Sequence, residues 1–190
     1  MHEVRIHGRG GQGAVLASAI LATALVEEGR DVMAIPAFGF ERRGAPVVAF
    51  LRFDDRPIRR VTNIYSPDTV IVIDPTVARS IDVFAGMKPG GTLVQATKKT
   101  PAEMTLPAHL GKVACCDAVG IALEVFRRPI TNTIMLGAFA RVTGAVSLPS
   151  LEKALEHTDF RDAQLAQNIT AVRRGFEETR VYDLGGEAAA

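Results

Sequence analysis

The sequence predicts a three-layer α/β fold, Rossmann-like, with a mostly parallel sheet and a helical C-terminal part. Three observations carry the prediction. The chain opens on a strand, a glycine-rich turn and an apolar helix. A continuous β-branched run, Thr69-Val70-Ile71-Val72-Ile73, lies in mid-chain and has the composition of a strand covered on both faces. From Thr131 onward the apolar residues recur at helical spacing.

At the start, Val4 and Ile6 alternate with polar neighbours, and Gly8-Arg9-Gly10-Gly11-Gln12-Gly13 satisfies the G-x-G-x-x-G pattern before a helix from Ala14 to Val26. Such a turn leaves the N–H groups at the helix start facing outward, where they favour anions. It serves dinucleotide binding in one reading and only a tight turn with close helix–sheet packing in another. Dinucleotide binding also asks for an acidic side chain at the end of the second strand. Here the strand Asp31-Val32-Met33-Ala34-Ile35 carries its acid at the start and runs into Pro36, which weighs against a nicotinamide. Gly29 occupies the helix C-cap position.

Pro36 to Pro46 is too rich in Pro and Gly for regular structure, yet it is dense in charge and rings. Phe38, Gly39, Phe40, Glu41, Arg42, Arg43 and Gly44 have the composition of an interface centre, aromatics beside arginines with glycines that admit a partner's backbone. The bland alternative is a surface loop with screened ion pairs. Val47 to Phe53, followed by the turn residues Asp54-Asp55-Arg56-Pro57, predicts a hairpin-like return.

The mid-chain strand ends at Asp74-Pro75, and a helix is expected over Thr76 to Phe84 with Asp74 as its cap. A turn at Lys88-Pro89-Gly90-Gly91 precedes short strands at Thr92 to Ala96 and Lys112 to Cys116, and a helix opens near Asp117. Asn132 reads as an N-cap or first-turn residue. Beyond it, Leu148, Leu151 and Leu155 share one helix face, and Leu165, Ile169, Val172 and Phe176 share another. Residues 1–184 are expected to form one domain, with residues 185–190 as a flexible tail.

Lys and Arg number 22 against 21 Asp and Glu, a net charge of +1, so no global field favours nucleic acid or an acidic membrane. The apolar run Val15 to Val26 is too short to span a bilayer, and no signal peptide precedes it, so a cytoplasmic location is expected. Cys115 and Cys116 read as buried strand thiols, and no Cys or His group at ligand spacing suggests a metal. Arg9 and Gln12, inside the glycine turn, are candidates to reach a ligand or a neighbouring subunit. His7 reads as the polar end of a strand. With no nucleophile–base pair, metal cluster or Walker lysine, no catalytic residue is assigned.

Taken in order, Gly8-Arg9-Gly10-Gly11-Gln12-Gly13, Pro36 with Gly39, Glu41, Arg43 and Gly44, Asp74-Pro75, Lys88-Pro89-Gly90-Gly91, Asn132 with Leu136-Gly137-Ala138, and Asn168 with Gly175 resemble the gamma subunit of the 2-oxoacid:acceptor oxidoreductases, which include pyruvate:ferredoxin oxidoreductase. The resemblance implies a non-catalytic subunit of a multi-subunit complex. In that complex, alpha and beta chains hold thiamine diphosphate and Mg, iron–sulfur subunits carry electrons away, and coenzyme A usually takes the acyl group of a small 2-oxoacid. None of these cofactors is expected on this chain alone.

By the same resemblance, Gly8, Arg9, Gly10, Gly11, Gln12 and Gly13 meet the active site, coenzyme A or a subunit, while Phe38, Gly39, Glu41, Arg42, Arg43 and Gly44 form an interface. The sequence departs from the family pattern at Arg43-Gly44-Ala45, where Arg-Gly-Gly is common, and at Phe38, where Tyr is frequent. The substrate stays open among pyruvate, 2-oxoglutarate, branched-chain and aromatic 2-oxoacids such as indolepyruvate and phenylglyoxylate. A stand-alone NAD(P)-binding reductase and a purely structural scaffold are the other readings.

Overall fold

The computed structural model describes residues 1–36, 44–160 and 164–185. Seven strands form one sheet: β1 (His2–Arg9), β2 (Asp31–Pro36), β3 (Pro46–Asp54), β4 (Thr69–Val72), β5 (Thr92–Ala96), β6 (Lys112–Cys116) and β7 (Arg180–Asp183), in the spatial order β2-β3-β1-β4-β5-β6-β7. The centre, β1-β4-β5-β6, is parallel, and β4 is buried at every position, as its β-branched composition requires. The expected hairpin-like return is β3, which runs antiparallel to both β2 and β1 and lies between them.

The helices α1 (Ala14–Glu27), α2 (Ala118–Phe126), α3 (Asn132–Thr143), α4 (Leu148–Glu156) and α5 (Leu165–Glu178) share one apolar core with the Val4 and Ile6 face of the sheet. Helix α3 is its centre. Every residue from Asn132 to Ala140 is buried, which explains why its sequence is apolar on all sides rather than along one stripe. A Cβ on Gly137 would lie 2.0 Å from the Val172 carbonyl oxygen, and one on Gly175 would lie 2.0 Å from that of Ile134. The two glycines therefore set how closely α3 and α5 approach.

The opposite face is covered by loops and 3-10 turns, which enclose a second cluster around Val70, Val72, Val83, Leu93 and Val113. The helix expected over Thr76 to Phe84 is replaced there by a 3-10 turn at Pro75–Arg79. Beyond it the Asp82 carboxylate accepts the Phe84 N–H at 2.9 Å, a local turn where a helical bond was expected. The C-terminal part also holds more than helices, because β7 pairs antiparallel with β6 along an edge that would otherwise be unpaired. Gly185 closes the described part of the expected tail, and residues 186–190 lie outside the described residues.

Candidate functional site

Strand β1 continues through Gly8 and Arg9, so the chain turns at Gly10–Gly13, above the C-terminal ends of β1 and β4. The turn is braced by its own polar side chains. Gln12 Oε1 accepts the Arg9 N–H at 2.7 Å, and Gln12 Nε2 donates to Asp74 Oδ2 at 2.7 Å. Arg9 donates from Nε to Thr76 Oγ1 at 2.9 Å, from Nη2 to the Thr76 carbonyl at 3.0 Å and from Nη1 to the Gly44 carbonyl at 2.9 Å. Asp74 completes the ring by accepting the Thr76 N–H at 2.8 Å. It thus caps the 3-10 turn, as expected, and anchors the glycine turn as well.

The hydrogen bonds from Gln12 and Thr76, with the nearby Arg9 charge, outweigh burial and hold the Asp74 carboxyl below the usual carboxylate range. Arg9 and Gln12 therefore spend most of their donors inside the chain. What faces outward is backbone. The N–H groups of Ala14, Val15 and Leu16, at the start of α1, meet no acceptor among the described residues, and the helix dipole adds partial positive charge there.

The glycine turn Gly10–Gly13 and, from the first turn of α1, Leu16 border a cleft of about 970 Å³ whose other wall is the approach to α3, from Arg128 to Asn132, with Phe160 nearby. Gly13 joins the two walls. Its φ is +77°, a left-handed conformation that glycine takes without strain, and a Cβ there would lie 2.5 Å from Asn132 Nδ2. Asn132, the first residue of α3, is buried, and its Oδ1 has no hydrogen-bond partner among the described residues. Sequence reasoning valued Asn132 as a helix start and missed this second place, because adjacency to Gly13 exists only in three dimensions.

The remaining candidates divide. Gly44 sits beside the turn and donates its N–H to the Gly10 carbonyl at 3.1 Å, while Gly10 donates to that of Ala45 at 2.8 Å. Phe38, Gly39, Phe40, Glu41, Arg42 and Arg43 lie outside the described residues. His7 is not the polar end of its strand: β1 runs on past it, it is 4% exposed, and neither ring nitrogen has a partner among the described residues. Cys115 and Cys116 are fully buried, and burial drives the Cys116 thiol up to about 11. Burial also raises the Cys115 thiol, and buried thiols of this kind are inert. Among the described residues no group of His, Cys, Asp or Glu could hold a metal, and no helix is long and apolar enough to cross a membrane.

Fold and site together define an α/β domain of the glycine-turn class, with a helix N-terminus at the rim of a cleft and its loop braced from within. The chain belongs to the pyruvate ferredoxin/flavodoxin oxidoreductase family, whose model matches residues 3–178, and it is of the gamma-subunit type. It is 61% identical to the NADH-dependent phenylglyoxylate dehydrogenase subunit gamma of Aromatoleum evansii over 190 residues, covering 100% of both chains. It is 50% identical to the pyruvate/ketoisovalerate oxidoreductases common subunit gamma of Thermococcus kodakarensis, covering 97% of this chain and 100% of that one. The crystal structure of pyruvate oxidoreductase subunit PORC from Thermotoga maritima superposes with a TM-score of 0.82 at 40% identity, covering 96% of this chain and 98% of that one.

Proposed function

We propose that this gamma-type subunit serves a thiamine-diphosphate-dependent complex that oxidises an aromatic 2-oxoacid of the phenylglyoxylate class, and that it supplies a wall of the reaction site rather than a reacting group. The observation that carries the substrate class is the 61% identity, end to end, to a gamma subunit named for phenylglyoxylate, against 50% to one named for pyruvate and ketoisovalerate. Thiamine diphosphate, held by partner chains, supplies the decarboxylation chemistry.

This chain's own contribution is the cleft. Free amides at the start of α1 suit a carboxylate or phosphate, such as those of the substrate or of coenzyme A. Arg9, Gln12 and Asp74 hold those amides in place, so the loop needs little reordering when a ligand or a partner arrives. Gly10, Gly11 and Gly13 keep side chains off the approach, while Gly8 lets the strand end pack against Ala14 and Ile73. Phe38, Gly39, Glu41, Arg42, Arg43 and Gly44 are assigned to the contact with the catalytic chains. In this reading the electron carriers sit on partner subunits, and the buried free thiols of Cys115 and Cys116 support it.

Where the complex passes electrons to NAD, the nucleotide is placed on another chain. In the ordinary dinucleotide fold the ribose acid ends a strand beside β1. Here β3 occupies that place, and β2, one strand further out, has no carboxylate at its end. The test is steady-state kinetics of the complex purified from its own cells, with phenylglyoxylate, indolepyruvate, pyruvate, 2-oxoisovalerate and 2-oxoglutarate compared by kcat/KM. Phenylglyoxylate is expected to lead; a lead for pyruvate or 2-oxoisovalerate would reassign the substrate class.

A further inference from the structure

The connection from β3 to β4, residues 55–68, is a long stretch without helix or strand, yet it is tightly held. Arg52, only 1% exposed, reaches it from within the sheet. The guanidinium donates from Nε to Glu3 Oε1 at 2.7 Å, from Nη1 to the carbonyls of Arg60 and Thr62 at 3.2 and 2.5 Å, and from Nη2 to that of Asn63 at 3.1 Å. Burying a cation costs several kcal/mol unless its donors are satisfied, roughly; here one carboxylate and three carbonyls satisfy them. Ile64 is buried as a plug, and Asp31 accepts the Ile58 N–H at the loop's start. At its end, Gly86 with φ +69° lets the Tyr65 carbonyl come so close that a Cβ there would lie 2.2 Å away.

What this rigid loop displays is unusual for a free surface. Val61 is 73% exposed and Tyr65 74%. Arg56, Arg59 and Arg60 are exposed beside them and make no ion pair among the described residues, although nearby Asp55 pairs with Arg30 and Asp68 with Lys88. An aromatic and an aliphatic anchor among unpaired arginines, on backbone already ordered, is the composition of an interface that binds with little entropy loss. The loop lies at the opposite end of β1 from the cleft, so it is not part of that site.

We propose that residues 56–66 form a second docking surface, for a partner subunit that presents an acidic rim around an apolar pocket. The proposal rests on the chain's being a gamma-type subunit of a multi-chain complex. It makes the chain a bridge, with the cleft against one partner surface and this loop against another.

The test uses the assembled complex carrying either Arg59→Glu with Arg60→Glu or Val61→Ser with Tyr65→Ser in this chain. Native mass spectrometry across a salt series reads how much gamma chain is retained, and hydrogen exchange compares the peptide over residues 56–66 in the complex and in the free chain. Because all four side chains are exposed, the variants are expected to melt as wild type does. Expected are at least about tenfold weaker retention of both variants, a loss of one typical interface anchor's worth, and slower exchange of the loop in the wild-type complex. Full retention with unchanged exchange would overturn the surface. So would protection that grows with the free chain's own concentration, which would assign it to a second copy. Intact assembly with impaired electron delivery to an acidic protein acceptor would assign it to a transient carrier. A wild-type chain recovered without partners would instead overturn the subunit reading beneath.

Discussion

At the residue scale, two polar side chains show how burial decides a role. Gln12 uses both ends of its amide, one on the Arg9 N–H and one on Asp74, so it couples the glycine turn to the end of β4. Gln12→Ala in the assembled complex is expected to raise the KM for coenzyme A or 2-oxoacid about tenfold, the effect of losing about 1.4 kcal/mol of positioning. Impaired assembly with both KM values unchanged would favour the scaffold reading.

His7 is held neutral by burial, with the adjacent Arg5 charge acting in the same direction, and its pKa falls from 6.5 to about 4. The unfolded chain therefore binds the proton first as pH falls, and between these two values stability rises with pH. Full stability from this group is present above 6.5 and is lost progressively toward 4. Urea unfolding is expected to show about 2 kcal/mol less stability at about pH 5 than at about pH 7 from His7 alone. His7→Leu removes that difference; the smaller contribution of His2, also lowered chiefly by burial, remains. An unchanged pH profile in the variant would refute the assignment.

At the element scale, the contact between α3 and α5 depends on missing side chains. Gly137 and Gly175 bring the two backbones together, and behind the crossing Thr133 donates to Asn168 Oδ1 at 3.1 Å. Gly137→Ala has no room to relax, because the obstructing atom is a backbone oxygen. Overpacking of this kind costs about 1–3 kcal/mol, occasionally more, so calorimetry is expected to show Tm lower by roughly 2–12 °C. A Tm within about a degree of wild type would mean the helices can move apart at little cost.

At the scale of the whole molecule, strand order separates this fold from the ordinary dinucleotide binder with which it shares a glycine turn. Inserting β3 between β1 and β2 moves the end of β2 a strand's width further from the turn, so the second half of a nucleotide site is not assembled. Isothermal titration of the free chain with NADH is expected to give no binding. Saturable binding would restore the stand-alone reductase as the leading reading. The same topology puts the cleft at one end of the sheet and the arginine-bearing loop at the other, which suits a chain that contacts more than one neighbour.

The sequence by itself determined the elements whose cause is local. The glycine turn, α1 with Gly29 at its end, the β-branched strand β4 and the amphipathic stripes of α4 and α5 all follow from periodicity and backbone freedom within a few residues. It also carried the ordered motifs that identify the family. Only the tertiary structure decided what depends on neighbours distant in the chain. The 3-10 turn at Pro75–Arg79 displaced an expected helix, β7 took up the open edge of β6, and Arg9 and Gln12 turned inward to Thr76 and Asp74. Asn132 became a wall of the cleft and Arg52 the clasp of a distant loop. A polar side chain is assigned by whichever donor or acceptor burial brings to it, and those partners lie tens of residues away, beyond the reach of any local pattern.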